Sequence, residues 1–170
     1  MHFGRAVMNL RRWIDDEATV VLDAGSHEIW ARTILPSHGP LSFIGSGNWG
    51  GMGYALPGLI GARLAVPSRR AVAITGDGCL LMSIADLSTL AEVGGPAVLI
   101  IMNNRMYGEI ARIQLERFGA TSQIDVAGLD FAAIARSYGL RGIPVETERN
   151  IEPSFKKAFA SEQPVVIDVA

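Results

Sequence analysis

Five short apolar runs constrain the fold of this chain more than any other feature of its sequence. Within each run the apolar side chains follow one another without alternation, and stretches with helical spacing separate the runs. Strands that are apolar on both sides are typical of parallel sheets covered by helices on both faces. We therefore predict an α/β fold, a doubly wound parallel sheet forming a single domain over residues 1–170. The predicted strands are residues 19–23, 71–75, 97–103, about 140–145, and 165–169.

The stretches between these runs predict the helices. Apolar residues recur at helical spacing over residues 4–14, 54–65 and 83–93, and the second of these stretches is followed by Pro67. Ser83 is of a residue type that favours the N-cap position, so we expect it to begin the third helix. Two further helices are predicted to start at Asp130 and at about Pro153.

Composition excludes several classes of function. The formal net charge of the 170 residues is −2 and the arginines are scattered, so we expect no nucleic acid or anionic membrane as a partner. Cys79 is the only cysteine, which excludes an internal disulfide and fits a reducing compartment. The sequence shows no signal-peptide pattern and no apolar run near the roughly 20 residues that span a bilayer. A cytoplasmic location is expected.

A glycine-rich segment offers one candidate site. Residues 45–50, "GSGNWG", match the G-x-G-x-x-G fingerprint of dinucleotide-binding domains. That fingerprint is normally followed, about 20 residues later, by an acidic residue that binds a ribose. This chain has Arg69 and Arg70 in that region, which would suit the extra phosphate of NADP. An NADP-binding oxidoreductase domain is therefore one alternative.

A second candidate site follows two of the predicted strands. Asp77 lies between two glycines directly after residues 71–75, and Asn103 and Asn104 stand at the end of the next strand. If these strands are neighbours, Asp77 and Asn104 can reach one Mg²⁺ through oxygen atoms, together with a bound phosphate. Gly78 would let the backbone approach that phosphate. The alternative is that both segments are ordinary turns.

Three segments resemble one enzyme family in both order and spacing. Residues 76–104, from "GDG" to "NN", resemble the thiamine diphosphate signature. Residues 47–65, "GNWGGMGYALPGLIGARLA", and residues 23–31, "DAGSHEIWA", are similar to segments of the acetolactate synthase and benzoylformate decarboxylase group. The resemblance runs from about residue 5 to the end. It identifies the chain as similar to the C-terminal, diphosphate-binding domain of these enzymes.

The resemblance implies roles for individual residues. Asp77, Asn104 and the carbonyl of Met106 would ligate Mg²⁺. Met52 would sit between the two rings of the cofactor and impose its bent conformation, and the Gly50 carbonyl would accept a hydrogen bond from the cofactor's amino group. Core packing is the alternative for Met52, and an ordinary surface position is the alternative for His27. The implied cofactor contacts are Ala24, Gly25, Ser26, His27, Gly50, Met52, Gly76, Asp77, Gly78, Cys79 (through its backbone), Asn104, Met106, Tyr107 and Gly108.

The resemblance also implies a reaction and a partner. The cofactor would serve as an electron sink for a small 2-keto acid, in a decarboxylase or a carboligase. Family members also have a pyrimidine-binding domain with a glutamate, and none is recognised here. In two-subunit relatives such as sulfopyruvate decarboxylase it is a separate chain, so we expect an α2β2 heterotetramer, and the initial Met suits a natural start. A fragment of a longer enzyme and a non-catalytic assembly partner are the alternatives. Glu109 and Ile110 fall where the family has apolar, substrate-facing residues, so a charge there would alter the pocket. A solvated charge on a helix is the alternative for Glu109.

Overall fold

The sheet is entirely parallel, as the apolar runs predict. The computed structural model describes residues 3–170, so the expected start at Met1 lies outside the described residues. The strands are β1 (Thr19–Leu22), β2 (Phe43–Gly45), β3 (Ala71–Gly76), β4 (Ala97–Met102), β5 (Arg141–Val145) and β6 (Val165–Val169). Their order across the sheet is β2-β1-β3-β4-β6-β5, and every neighbouring pair is parallel.

Helices connect the strands and cover both faces of the sheet. They are α1 (Phe3–Leu10), α2 (Ser26–Ile34), α3 (Ala55–Ala65), α4 (Asp77–Leu80), α5 (Leu87–Val93), α6 (Gly108–Phe118), α7 (Phe131–Ser137) and α8 (Ile151–Phe159). Single turns of 3-10 helix cover Gly47–Trp49, Ile84–Asp86 and Glu148–Asn150. Among residues 3–170, no helix is both long and apolar enough to cross a membrane.

Two apolar cores lie on opposite faces of the sheet. Val20 and Leu22 of β1 point into one core, which α1, α2 and α8 cover, whereas Val21 points into the other, which α3, α5 and α7 cover. Successive residues of a strand face opposite sides, so a strand buried on both sides must be apolar throughout. The predicted doubly wound α/β fold is confirmed.

Several element boundaries differ from the sequence-based predictions. The first helix ends at Leu10 rather than at residue 14, and the last begins at Ile151 rather than near Pro153. The prediction that Ser83 caps a helix is wrong. A 3-10 turn follows Ser83, and its hydroxyl makes no capping hydrogen bond, because the α-helix begins only at Leu87. Asp130 does cap α7, since its side chain accepts a hydrogen bond from the Ala133 N–H at 2.8 Å.

The strand order creates a crevice at one edge of the sheet. From β1 the chain moves to β2 on one side and then crosses to β3 on the other side of β1. In open α/β sheets, ligands bind at such a switch point, outside the carboxyl ends of the strands. The segments that follow β1, β3 and β4 therefore meet at this edge. They begin with Asp23, Asp77 and Asn103.

Candidate functional site

A cavity of about 220 Å³ lies at the carboxyl edge of the sheet. Every residue that the sequence analysis assigned to the cofactor lines this cavity. They are Ala24, Gly25, Ser26, His27, Gly50, Met52, Gly76, Asp77, Gly78, Cys79, Asn104, Met106, Tyr107 and Gly108. Phe3, Met102, Glu109 and Ile110 line it as well. The structure thus brings the predicted residues together, and their individual roles stay predictions.

Asp77 has one carboxylate oxygen without a partner. Gly76 pairs with Met102 across β3 and β4, so Asp77 leaves the sheet beside Asn103. Its Oδ1 accepts a hydrogen bond from the Gly78 N–H at 2.9 Å, whereas its Oδ2 is buried with no hydrogen-bond partner among the described residues. Burial raises the pKa of Asp77 above its usual value, and nearby backbone N–H groups act in the opposite direction. A cation next to Oδ2 would compensate for its burial.

The two asparagines after β4 have different environments. Asn103 is buried, and its Nδ2 donates to the Leu129 carbonyl at 3.1 Å and to Asp168 Oδ1 at 3.0 Å. Asn104 is exposed, lines the cavity, and accepts a hydrogen bond from the Met106 N–H at 3.3 Å. Of the pair, Asn103 ties β4 to β6, and Asn104 is the one that can reach a ligand in the cavity.

The backbone after Asn104 turns tightly at the third predicted metal ligand. The Met106 carbonyl accepts a hydrogen bond from the Gly108 N–H at 2.9 Å. Tyr107 between them has φ −76° and ψ 75°, which is an inverse γ-turn. A carbonyl oxygen has a second lone pair, so this one can still bind a cation. The described residues contain no group of three or more His, Cys, Asp or Glu side chains suited to a metal ion. One carboxylate, one amide and one carbonyl nevertheless make an all-oxygen donor set that fits Mg²⁺.

His27 is buried and is not a surface histidine. A Cβ atom on Gly25 would lie 2.8 Å from the His27 Cε1, and a Cβ on Gly76 would lie 3.3 Å from it, so both glycines make room for the ring. Burial lowers the pKa of His27, although Asp23 and Glu28 act in the opposite direction. Its Nε2 has no partner among the described residues. His27 therefore offers a neutral ring nitrogen to this cavity.

Gly78 and Cys79, at the start of α4, line the cavity. The Cys79 thiol donates a hydrogen bond to the Ala24 carbonyl at 3.0 Å, and burial raises its pKa to about 12. The thiol therefore stays protonated at neutral pH, and its hydrogen bond is made to the Ala24 carbonyl. A Cβ atom on Gly78 would lie 2.5 Å from Cε1 of Tyr107. The sequence suggested that Gly78 makes room for a phosphate. In the structure, the group that a side chain at this position would meet is the Tyr107 ring.

Asp23 positions the loop that carries Met52, although no role was predicted for Asp23 from the sequence. It is 1% exposed. One oxygen accepts hydrogen bonds from the N–H groups of Gly53 (2.9 Å) and Tyr54 (3.3 Å), and the other accepts from the Ala55 N–H (3.1 Å) and the Thr75 hydroxyl (2.9 Å). Asp23 thereby holds the start of α3 and the Met52 loop against β1 and β3. Its signal was present: like Asp77, it is a lone carboxylate directly after a buried strand.

Met52 stands on this loop with its side chain partly exposed. Met52 is 40% exposed and lines the cavity, so the interpretation as core packing is wrong. Gly50 has φ 60° and Gly53 has φ 85°, both in the left-handed region that glycine adopts without strain. The two glycines let the chain turn on both sides of Met52 and present its side chain to the cavity.

The geometry does not support a dinucleotide site at "GSGNWG". In that motif the helix follows the glycines directly, whereas α3 begins at Ala55, after the loop that Asp23 holds. Arg69 and Arg70 precede β3 and lie at the amino edge of the sheet, opposite the carboxyl end of β2. Arg70 donates to the Ser161 carbonyl and lies over the Phe159 ring. These arginines cannot reach a phosphate bound at Gly45–Gly50.

Comparison with known proteins agrees with the geometry of the cavity. Residues 23–169 match the family model of the thiamine pyrophosphate enzyme C-terminal, TPP-binding domain. The chain belongs to this family. It is 36% identical to acetolactate synthase of Bacillus subtilis over 163 residues, which are 96% of this chain and 29% of that protein. It is 38% identical to benzoylformate decarboxylase of Pseudomonas aeruginosa over 142 residues, 82% of this chain and 26% of that protein.

A third relative has a similar extent of overlap. The acetolactate synthase large subunit of Haemophilus influenzae is 37% identical over 152 residues, which are 88% of this chain and 26% of that subunit. The chain thus spans less than a third of the length of these relatives. They establish the family and the fold of residues 23–169, and the activity of the whole protein is a separate question.

Proposed function

We propose that residues 3–170 form the diphosphate- and Mg²⁺-binding part of a thiamine diphosphate-dependent enzyme that acts on a small 2-keto acid. The observation that carries the proposal is the buried, unpartnered Asp77 Oδ2 beside Asn104 at the cavity. Membership of the family supports the cofactor. Relatives named acetolactate synthase and benzoylformate decarboxylase support a 2-keto acid as the substrate. Carboligation and simple decarboxylation are both compatible with this site.

The metal would be held by oxygen atoms of three residues. Asp77 would supply Oδ2, Asn104 its side-chain oxygen, and Met106 its carbonyl. Leaving a carboxylate oxygen buried without a partner costs about 1–3 kcal/mol or more, and a bound cation removes that cost. Mg²⁺ prefers oxygen ligands and completes its coordination with phosphate oxygens and water.

The diphosphate would lie against the segments that follow β1 and β3. Ser26 and His27 begin α2, where backbone N–H groups lack helical partners, and Gly78 and Cys79 provide further N–H groups. The neutral His27 ring can donate one hydrogen bond without adding charge. Met52 and Gly50 would orient the cofactor rings. When bound, thiamine diphosphate supplies the electron sink for loss of carbon dioxide from the substrate. The residues of this chain would bind it and orient it.

The pyrimidine side of the site would come from outside these 170 residues. We propose a pyrimidine-binding partner chain in an α2β2 heterotetramer. Exposed apolar side chains at the cavity support a covering surface: Met52 is 40% and Ile110 is 49% exposed, and Trp49, next to the lining residue Gly50, is 92% exposed. A pyrimidine-binding domain on the same polypeptide would serve the same purpose. The cytoplasmic location stays a prediction.

Calorimetric titration tests this proposal directly. Thiamine diphosphate should bind only when Mg²⁺ is present, and Asp77→Asn should lower the affinity for both by at least about tenfold, because the shared metal loses a charged ligand. Asp168→Asn is a matched control, since Asp168 is a buried carboxylate that does not line the cavity. Circular dichroism checks that the Asp77 variant is folded. A folded variant with unchanged affinity would refute the metal assignment.

The same titration separates the alternatives. NADPH should give no binding heat at concentrations where thiamine diphosphate saturates. A chain that binds neither molecule, with its pyrimidine-binding partner present, would be a non-catalytic assembly partner. Binding of NADPH alone would instead restore the oxidoreductase interpretation of residues 45–50.

A further inference from the structure

Glu109 lines the cavity, and one of its carboxylate oxygens has no hydrogen-bond partner among the described residues. It lies in the first turn of α6 and lines the cavity together with Ile110. Its Oε1 accepts hydrogen bonds from the guanidinium of Arg112. Its Oε2 is buried and has no hydrogen-bond partner among the described residues. One oxygen is thus fixed by Arg112, and the other is buried without a partner.

Arg112 holds the carboxylate in this orientation. Its Nε lies 3.1 Å from Glu109 Oε1, and another nitrogen of the same guanidinium donates to Glu116 one turn further along α6. These hydrogen bonds, first to Glu109 and then to Glu116, raise the pKa of Arg112 above its usual value. The guanidinium is therefore hydrogen-bonded to both carboxylates, that of Glu109 at the cavity and that of Glu116. It anchors Oε1 and leaves Oε2 unpaired.

An unpaired, buried carboxylate oxygen discriminates between ligands by charge and by hydrogen bonding. A ligand group that donates a hydrogen bond satisfies the oxygen, and hydrogen bonds to charged groups are the strong ones. A methyl group leaves the oxygen unsatisfied, and a second anionic group is repelled. Sites with unpaired polar groups reject analogues that lack the matching partner.

We propose that Glu109 Oε2 accepts a hydrogen bond from a donor group, a hydroxyl or an ammonium, on the substrate chain beyond the 2-keto acid carbons. The site then favours such substrates over apolar ones and most strongly disfavours those with a second anionic group, a sulfonate included. Glu109 is a specificity-determining residue in this assignment. The inference rests on the proposed function, since it uses the same cavity.

The test compares four ligands that differ only in one terminal group. Nonreactive five-carbon 2-hydroxy acids ending in a methyl, hydroxyl, ammonium or carboxylate group are titrated into the holoenzyme, loaded with Mg²⁺ and thiamine diphosphate and with its pyrimidine-binding part present. The corresponding 2-keto acids with methyl, hydroxyl and carboxylate ends are assayed for KM and kcat. Calorimetry thus reports selection without turnover, and the hydroxyl and ammonium ligands distinguish the two kinds of donor.

Three variants assign the selection to Glu109. Wild type should bind a donor-bearing ligand about tenfold more tightly than the methyl ligand, and the carboxylate ligand most weakly. In Glu109→Gln the affinity for the carboxylate ligand should rise to at least the affinity for the methyl ligand. Glu109→Met should abolish the preference for ligands that donate a hydrogen bond. Changes should appear in KM more than in kcat. Glu116→Gln is the matched control, because Glu116 shares Arg112 but does not line the cavity.

The outcomes separate this inference from the proposed function. An identical ranking of ligands in wild type and Glu109→Gln, with thiamine diphosphate still bound, overturns the inference alone. A tenfold loss of thiamine diphosphate affinity in Glu109→Gln also overturns it, because Glu109 would then act on the cofactor. If Glu116→Gln changes the ranking as much as Glu109→Gln does, the effect belongs to Arg112 and the inference fails. If the wild-type complex binds no thiamine diphosphate, both the proposed function and this inference are refuted.

Discussion

Among residues 3–170, three aspartates are buried at the carboxyl edge of the sheet, and their partners distinguish their roles. Both oxygens of Asp23 accept hydrogen bonds, and so do both oxygens of Asp168. Asp77 has one oxygen that no described group satisfies. Buried polar groups in proteins are nearly always satisfied, so an unsatisfied carboxylate oxygen at a cavity points to a ligand. The sequence could not make this distinction, because all three follow or end apolar strands in the same way.

Met52 permits a test at the scale of one side chain. If Met52 shapes the cofactor and does not anchor it, Met52→Ala should lower kcat by roughly ten- to a hundredfold and change the affinity for thiamine diphosphate by less than about threefold. Stopped assays and calorimetry on the same preparation measure both. Met8→Ala, which truncates an exposed methionine outside the cavity, should change neither quantity. Parallel losses in kcat and affinity would mean that Met52 only packs against its surroundings.

At the scale of the elements, the sequence predicted what burial on both faces requires. The runs at 71–75 and 97–103 became β3 and β4 nearly residue for residue, since only apolar residues can occupy such strands. β2 was missed because its three residues are only half-buried and give no apolar run. α6 was missed because Ala111 is its only buried residue, so almost no apolar periodicity marks it. Elements with few fully buried residues are thus the least visible in the sequence.

Asp23 connects β1, β3 and the start of α3, and its replacement tests that connection. In Asp23→Asn one acceptor oxygen becomes an NH₂ group that faces backbone donors, so the free energy of unfolding should fall by about 2–3 kcal/mol. Urea denaturation of the cofactor-free chain measures the change. Asp130→Asn is the matched control, because Asp130 is an exposed N-cap and asparagine caps equally well. It should cost less than about 0.5 kcal/mol. Equal costs for both variants would show that Asp23 is no more than an ordinary cap.

For the whole molecule, several exposed apolar side chains lie at the cavity or next to its lining. Trp49 and Met52 belong to the loop at its rim, and Tyr107 and Ile110 line it from the other side. A cofactor bound here would remain open to water, which the proposed chemistry does not tolerate. This chain spans less than a third of the length of the relatives it matches. We therefore expect that a further domain or chain covers the rim of the cavity.

Trp49 is the side chain that should report this covering. It is 92% exposed, so its fluorescence should shift to shorter wavelength when the pyrimidine-binding chain is added. Trp49→Ala should weaken assembly by at least about tenfold, as loss of a buried aromatic anchor does.

Leu64→Ala is the matched control. Leu64 is 63% exposed near the end of α3, which runs from the carboxyl edge to the amino edge, away from the cavity. Sedimentation velocity measures the affinity of both variants. If the cofactor is enclosed only in the complex, 2-keto acid turnover should rise in proportion to the assembled fraction. Full activity of the isolated 170 residues, or equal effects of Trp49→Ala and Leu64→Ala on assembly, would contradict a partner at this rim.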